Sequence, residues 1–157
     1  MNTNAEPISN SLVFASMDVA TFRAACDLPV SQSPGLVDED ERDLHINLVD
    51  EECNELITAL EQGNLVGIAD GGIDLIYVTI GLLLHHGIPI PAVWKAVHDA
   101  NMAKVDPVTG KVRRRSDGKV LKPDGWTPPD DIIAAIIKKA QANFEARIVA
   151  LERVAND

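Results

Sequence analysis

Five acidic residues fall in two short stretches of the chain. Glu51, Glu52 and Glu55 stand in "EECNE"; Asp70 and Asp74 stand in "ADGGIDL". On a helix, residues three or four apart share a face. Leu44, Leu48, Glu51 and Glu55 follow that spacing, so the sequence predicts two carboxylates continuing a leucine stripe toward the core, with Glu52 beside them. Asp70 and Asp74 are four apart in a run that is otherwise apolar. An unpaired ionised carboxylate in such surroundings costs several kcal/mol. No lysine or arginine lies between Arg42 and Lys95, so no local cation offsets the charge. A single helical Glu usually caps, pairs with a distant arginine or faces water. Five acids on two neighbouring helices are better explained by a bound cation. Hard carboxylate oxygens suit Mg²⁺ or Mn²⁺, and no Cys/His spacing suits zinc.

The elements that must hold these acids read as helices. Aromatic residues are scarce at 4%, while hydrophobic residues make up 46% of 157 residues. That mix favours packed helices and allows one core. Residues 1–15 read as a weakly ordered arm and 16–157 as a single helical domain. A short helix is expected from Ser16 or Asp18, broken by "DLPVSQSPGL". A long helix follows, with an acidic first turn and a stop at Gly63-Asn64. The next helix is apolar nearly all round and ends at His85-His86-Gly87. Its most apolar part, 73–84, is too short to span a bilayer and carries Asp74. A fourth helix enters through Pro89 and Pro91, and a last one carries a stripe from Ile133 to Leu151.

Between the last two helices lies a turn-rich basic segment, a loop or small hairpin. Seven of the chain's 14 Lys and Arg fall in residues 104–122. Lys119 and Arg115 in it suit an anionic group. Trp126 in "KPDGW" either stacks on a ligand or pins the loop. His98, Trp94 and Tyr77 read as structural.

Net charge is −10 with pI near 4.7. That argues against non-specific nucleic-acid binding, which needs a broad positive surface. Cys26 and Cys53 read as reduced, half-buried thiols. The start "MNTNAEPISNSLVF" has no cationic, apolar leader. A cytoplasmic protein that binds no membrane is expected. The apolar surface exceeds what one small bundle absorbs, so a homodimer or homotetramer is expected.

"EECNE" resembles the E-E-x-x-E signature of the MazG-like, all-α nucleoside triphosphate pyrophosphohydrolases, which include the dimeric dUTPases. "DGGIDLIYVTIG" is similar to their second acidic helix, "VHDANMAK" to the polar helix after it, and "SDGKVLKPDGWTPPD" to the tail of small members. The resemblance spans about residues 16–132. One position departs from it. The usual second motif, E-x-x-D, would put a glutamate at Gly71, which leaves Asp70 as the substitute.

The resemblance implies a four- to five-helix bundle of the all-α NTP pyrophosphatase type. It implies cleavage between the α- and β-phosphates of a nucleotide, giving a monophosphate and pyrophosphate, with two or more Mg²⁺ or Mn²⁺ ions. Glu52, Glu55 and Asp74 would be metal ligands and Asp70 a fourth. Glu51 would be a further ligand or the base on the attacking water. Asn101 and Lys104 would contact substrate. A dNTP (dUTP, dCTP or dGTP) is the expected substrate. The alternatives are a phosphoribosyl-ATP pyrophosphohydrolase, against which the basic tail argues, and a non-catalytic helical interaction module.

Overall fold

The computed structural model describes residues 8–156. Five helices follow in order: α1 Ile8–Ala25, α2 Glu39–Glu61, α3 Leu65–His85, α4 Ile90–Met102 and α5 Asp130–Asn156. Among the described residues there is no strand, only two isolated antiparallel bridges, Val105 to Val112 and Arg114 to Val120. The fold is all-α, as expected, with a hairpin-like basic segment before the last helix. The chain divides into two compact units, Met1–Ile88 and Pro89–Asp157.

In the first unit, α1 starts at Ile8 rather than near Ser16. No proline or glycine lies between Ile8 and Ala25, so nothing stops the helix from extending into residues 8–15. The remainder of the expected arm, 1–7, lies outside the described residues. Asp38 caps α2 by accepting the Glu41 N–H at 2.9 Å. Three acids in the first turn complement the helix dipole.

The α2–α3 connection is a two-way cap. Gly63 (φ 64°) takes the left-handed position; its N–H reaches Leu60 O at 3.2 Å, and the Asn64 N–H reaches Ala59 O at 2.9 Å. The Asn64 side chain then caps α3 by accepting the Gly67 N–H. This turn folds α2 and α3 into an antiparallel hairpin. Gly87 (φ 65°) ends α3 in the same way, and residues 31–35 strap its end through Ser31 N–H to Leu84 O and Gly35 N–H to His86 O.

Val19, Ala59 and Ile80 form the apolar core of this unit. Three polar residues are buried with them. Arg23 donates Nε and Nη2 to Pro29 O, at 3.0 and 2.8 Å. His45 Nε2 lies 2.9 Å from His85 Nδ1, and His85 Nε2 lies 3.3 Å from Glu41. Burial lowers the pKa of both histidines. Helix α3 reaches 21 residues and is long and apolar enough to cross a membrane, so the run 73–84 understated it. Here it carries Asp70 and Asp74 and packs on α1 and α2. Leu65, Val66, Ile73 and Ile76 on it remain exposed. Both cysteines are free; Cys53 is half-buried as expected, whereas Cys26, at the end of α1, is exposed.

In the second unit, α4 packs on α5. Asp106 orders the first turn of the basic segment by accepting the Val108 and Thr109 N–H groups, which hold its carboxyl below the usual range. Ile133, Ile136, Ile137, Ala140 and Phe144 are half-buried along α5, while Ile148 and Leu151 are exposed.

Candidate active site

The α2–α3 hairpin decides which acids meet. The covered face of α2 is Glu41, His45, Leu48, Glu52, Leu56 and Ala59; that of α3 is Gly67, Gly71, Asp74, Val78 and His85. Pairing is antiparallel: Ala59 with Gly67, Leu56 with Gly71, His45 with His85. The expected inward stripe through Leu44, Glu51 and Glu55 is therefore rotated. Leu44, Glu51 and Glu55 are exposed, and Glu52 is the acid turned toward α3. The buried His45 sets this phase, because it must meet His85.

All five predicted acids share one electrostatic neighbourhood. Partial burial, then the charges of Asp74, Glu55, Glu51 and Asp70, push the Glu52 carboxyl up. Glu55 and Asp70 also line one cleft of about 340 Å³, together with the amides of Asn54, Gln62 and Asn64. The first unit contains two basic side chains of the Lys/Arg type, and both are committed elsewhere. Arg23 is bound to Pro29, and Arg42 pairs with Glu39 and Asp43, both at 2.9 Å.

The donor set fits Mg²⁺ or Mn²⁺ in chemistry: carboxylates on two facing helices, uncompensated, with amides beside them. Among the described residues, no three His, Cys, Asp or Glu side chains are already gathered to hold an ion. Binding would require the carboxylate rotamers to converge.

In the second unit, Asn101, Lys104 and Trp126 come together. Lys104 Nζ donates to Asn101 Oδ1 at 2.7 Å and lies 5.2 Å from the Trp126 ring centre. Lys122, absent from the predicted set, lies closer to that ring, at 4.2 Å. Its sequence signals were its membership of the basic segment and its place four before Trp126. The Trp126 Nε1–H donates to Ala100 O at 2.8 Å, pinning the loop to α4. Arg115 is paired with Asp117 across the turn at Gly118, and Lys119 is exposed.

The chain matches the family model for phosphoribosyl-ATP pyrophosphohydrolase over residues 19–101. It belongs to that family, within the MazG-like superfamily of NTP pyrophosphohydrolases, and is an enzyme of the pyrophosphohydrolase type. The matched segment contains all five acids and ends at Asn101, before the basic segment. A solved structure of a candidate NTP pyrophosphohydrolase from Exiguobacterium sp. 255-15 is similar at 24% identity and a TM-score of 0.47, covering 82% of this chain and 96% of that one. No curated protein matches the chain in sequence.

Proposed function

We propose that the chain is a divalent-metal-dependent (deoxy)nucleoside triphosphate pyrophosphohydrolase. The observation that carries this reading is the placement of Glu51, Glu52 and Glu55 on α2 and of Asp70 and Asp74 on the α3 packed against it, inside the family-matched segment and in a unit whose two arginines are engaged elsewhere. Glu52, Glu55, Asp70 and Asp74 hold Mg²⁺ or Mn²⁺, two or more ions per site. When bound, these ions offset the triphosphate charge and acidify water. Glu51, exposed at the edge of the cluster, is a further ligand or accepts the proton of the attacking water. Water adds to phosphorus, the α–β bridging P–O bond breaks, and a nucleoside monophosphate and pyrophosphate leave. Asn101, Lys104, Arg115 and Lys119 bind phosphates, and Trp126 holds the loop that presents them. The exposed apolar residues of α3 and α5 are buried in a homodimer or homotetramer. The enzyme works in the cytoplasm, without nucleic-acid or membrane partners.

The substrate is a dNTP such as dUTP, dCTP or dGTP. The family match favours a second reading, phosphoribosyl-ATP. One panel decides between them. The protein with Mg²⁺ or Mn²⁺ is offered the common NTPs, dNTPs and phosphoribosyl-ATP, and products are read by nucleotide chromatography. Monophosphate and pyrophosphate from a dNTP support the first reading, and turnover of phosphoribosyl-ATP alone supports the second. No pyrophosphate from any of them sinks both. Glu52→Ala and Asp74→Ala should abolish release; unchanged release would remove these residues from the mechanism.

A further inference from the structure

A close approach of α3 to the α2 backbone lies inside the acidic cluster. A Cβ placed on Gly71 would meet Leu56 N at 3.1 Å and Leu56 Cα at 3.2 Å. Both are backbone atoms, and a helix backbone cannot turn aside as a side chain can. Leu56 follows Glu55 and lies four after Glu52; Gly71 follows Asp70 and lies three before Asp74. The contact therefore sits among the four residues that must meet. Glycine inside a helix is disfavoured against alanine, so a buried one here needs a reason, and the close approach supplies it.

We propose that Gly71 is a positioning residue. Its bare Cα sets the α2–α3 separation at which Glu52 and Glu55 on one helix share cations with Asp70 and Asp74 on the other. A side chain at 71 would meet the α2 backbone, so the α3 carboxylate that joins Asp74 comes from Asp70, one residue earlier. The proposal rests on the reading of these acids as metal ligands.

Neighbouring glycines supply the controls. A Cβ on Gly72 would meet only Leu56 Cδ1, at 3.9 Å, an ordinary contact. A Cβ on Gly67, one turn along the same seam, would meet Ala59 Cβ at 3.0 Å and the flexible Asn64 amide at 2.9 Å.

The test measures Mn²⁺ affinity of the full chain by electron paramagnetic resonance, without substrate, with circular dichroism to follow folding. Gly72→Ala should bind Mn²⁺ as the wild type does. Gly71→Ala should keep its helix signal and lose about 10–100-fold in affinity, the scale on which misplaced ligands weaken metal sites. Wild-type affinity in Gly71→Ala overturns the proposal. Should that variant not fold, Gly67→Ala takes its place. Its affinity should fall several-fold and return in Gly67→Ala/Ala59→Gly, where the opposing Cβ is gone; an unchanged Gly67→Ala overturns the proposal as well. Asp70→Asn and Glu52→Gln identify failure at the earlier step. If both bind Mn²⁺ as the wild type does, or the wild type binds none, the ligand reading falls and Gly71 loses its role with it.

Discussion

Replacing Glu52 by Gln should stabilise the protein without metal and destabilise it, relative to wild type, with metal. Glu52 faces Glu55 three residues on and Asp74 and Asp70 across the hairpin, and its carboxyl is pushed up by partial burial and by these charges. A like-charge pair at helical spacing costs about 0.2–0.5 kcal/mol, and partly exposed pairs between elements cost about the same. With the neighbouring Glu51, four such pairs come to about 1 kcal/mol. Gln keeps the shape and removes the charge. For a chain of this length about 1 kcal/mol moves Tm by about 2–4 °C, so in EDTA Glu52→Gln should melt that much higher. A carboxyl whose folded pKa is raised has the sign opposite to a salt-bridged one. Its contribution to stability is present below the unfolded value and lost as pH rises through the folded one. The gain from Gln should thus be full at neutral pH and vanish below the ordinary value of 4.5.

Metal inverts the order. A ligand at one hundred times its Kd stabilises by about 2.7 kcal/mol, or about 5–10 °C here. Wild type should gain this with saturating Mg²⁺. Glu52→Gln, lacking a ligand, should gain little, so the two melting curves change places. Salt near 1 M should shrink the difference in EDTA, because it screens exposed charges. A variant that melts below wild type in EDTA, or gains as much from Mg²⁺, would refute the reasoning.

Two further outcomes follow from polar contacts that are partly or fully buried. Trp126→Phe removes the donor to Ala100 O and should cost about 1 kcal/mol; thermal melting and proteolysis of the loop at 103–129 check it, and unchanged cleavage would show that the pin is idle. His45 and His85 have pKa values lowered, by burial first, so the unfolded chain binds protons that the folded chain refuses. Stability should therefore be full above about pH 6.5 and fall as pH drops below it. Denaturation midpoints against pH should show this slope, and His45→Phe should flatten it.

Much of the hairpin was legible because caps are written in residue types. An acidic first turn, Gly63-Asn64 and His86-Gly87 mark the helix ends, and the structure uses each of them, adding Asp38 as the cap of α2. The start of α1 was misplaced: Ser16 and Asp18 read as its caps, although Pro7, a residue type common at helix starts, directly precedes Ile8. The rotation of α2 was missed for another reason. A leucine looks like a core residue and a histidine does not, so Leu44 was turned inward in place of His45. Burial of His45 becomes favourable only with His85 at 2.9 Å, a partner forty residues away that local periodicity cannot reveal. The shift of one residue moved Glu52 to the seam and left Glu51 and Glu55 at its rim. The five acids still lie on the two helices that pack together, because a rotation of one residue changes which of them points inward and not which helices carry them.

The placement of the acids along the hairpin explains how their repulsion is tolerated. Glu52 and Asp74 lie about 16 Å along the helix axes from the Gly63–Asn64 turn, at 1.5 Å per residue. About 10 Å beyond Glu52 along α2, and about 16 Å beyond Asp74 along α3, the two helices are joined again, by His45, His85 and Glu41. Repulsion in the middle can open the hairpin only by loosening one of these ends. At the turn, two backbone hydrogen bonds and a side-chain cap would be lost; at the far end, two buried imidazoles would be left without partners. Each such loss costs about 1–3 kcal/mol, against about 1 kcal/mol of relief. The ends therefore win, and the carboxylates stay near one another with their charge uncompensated. Neutralising that charge is favourable without first moving a helix, which is the condition a cation site needs before its cation arrives. The glycines at 71 and 67 let the helices close to this distance, since a Cβ at either would press on Leu56 or Ala59 of α2.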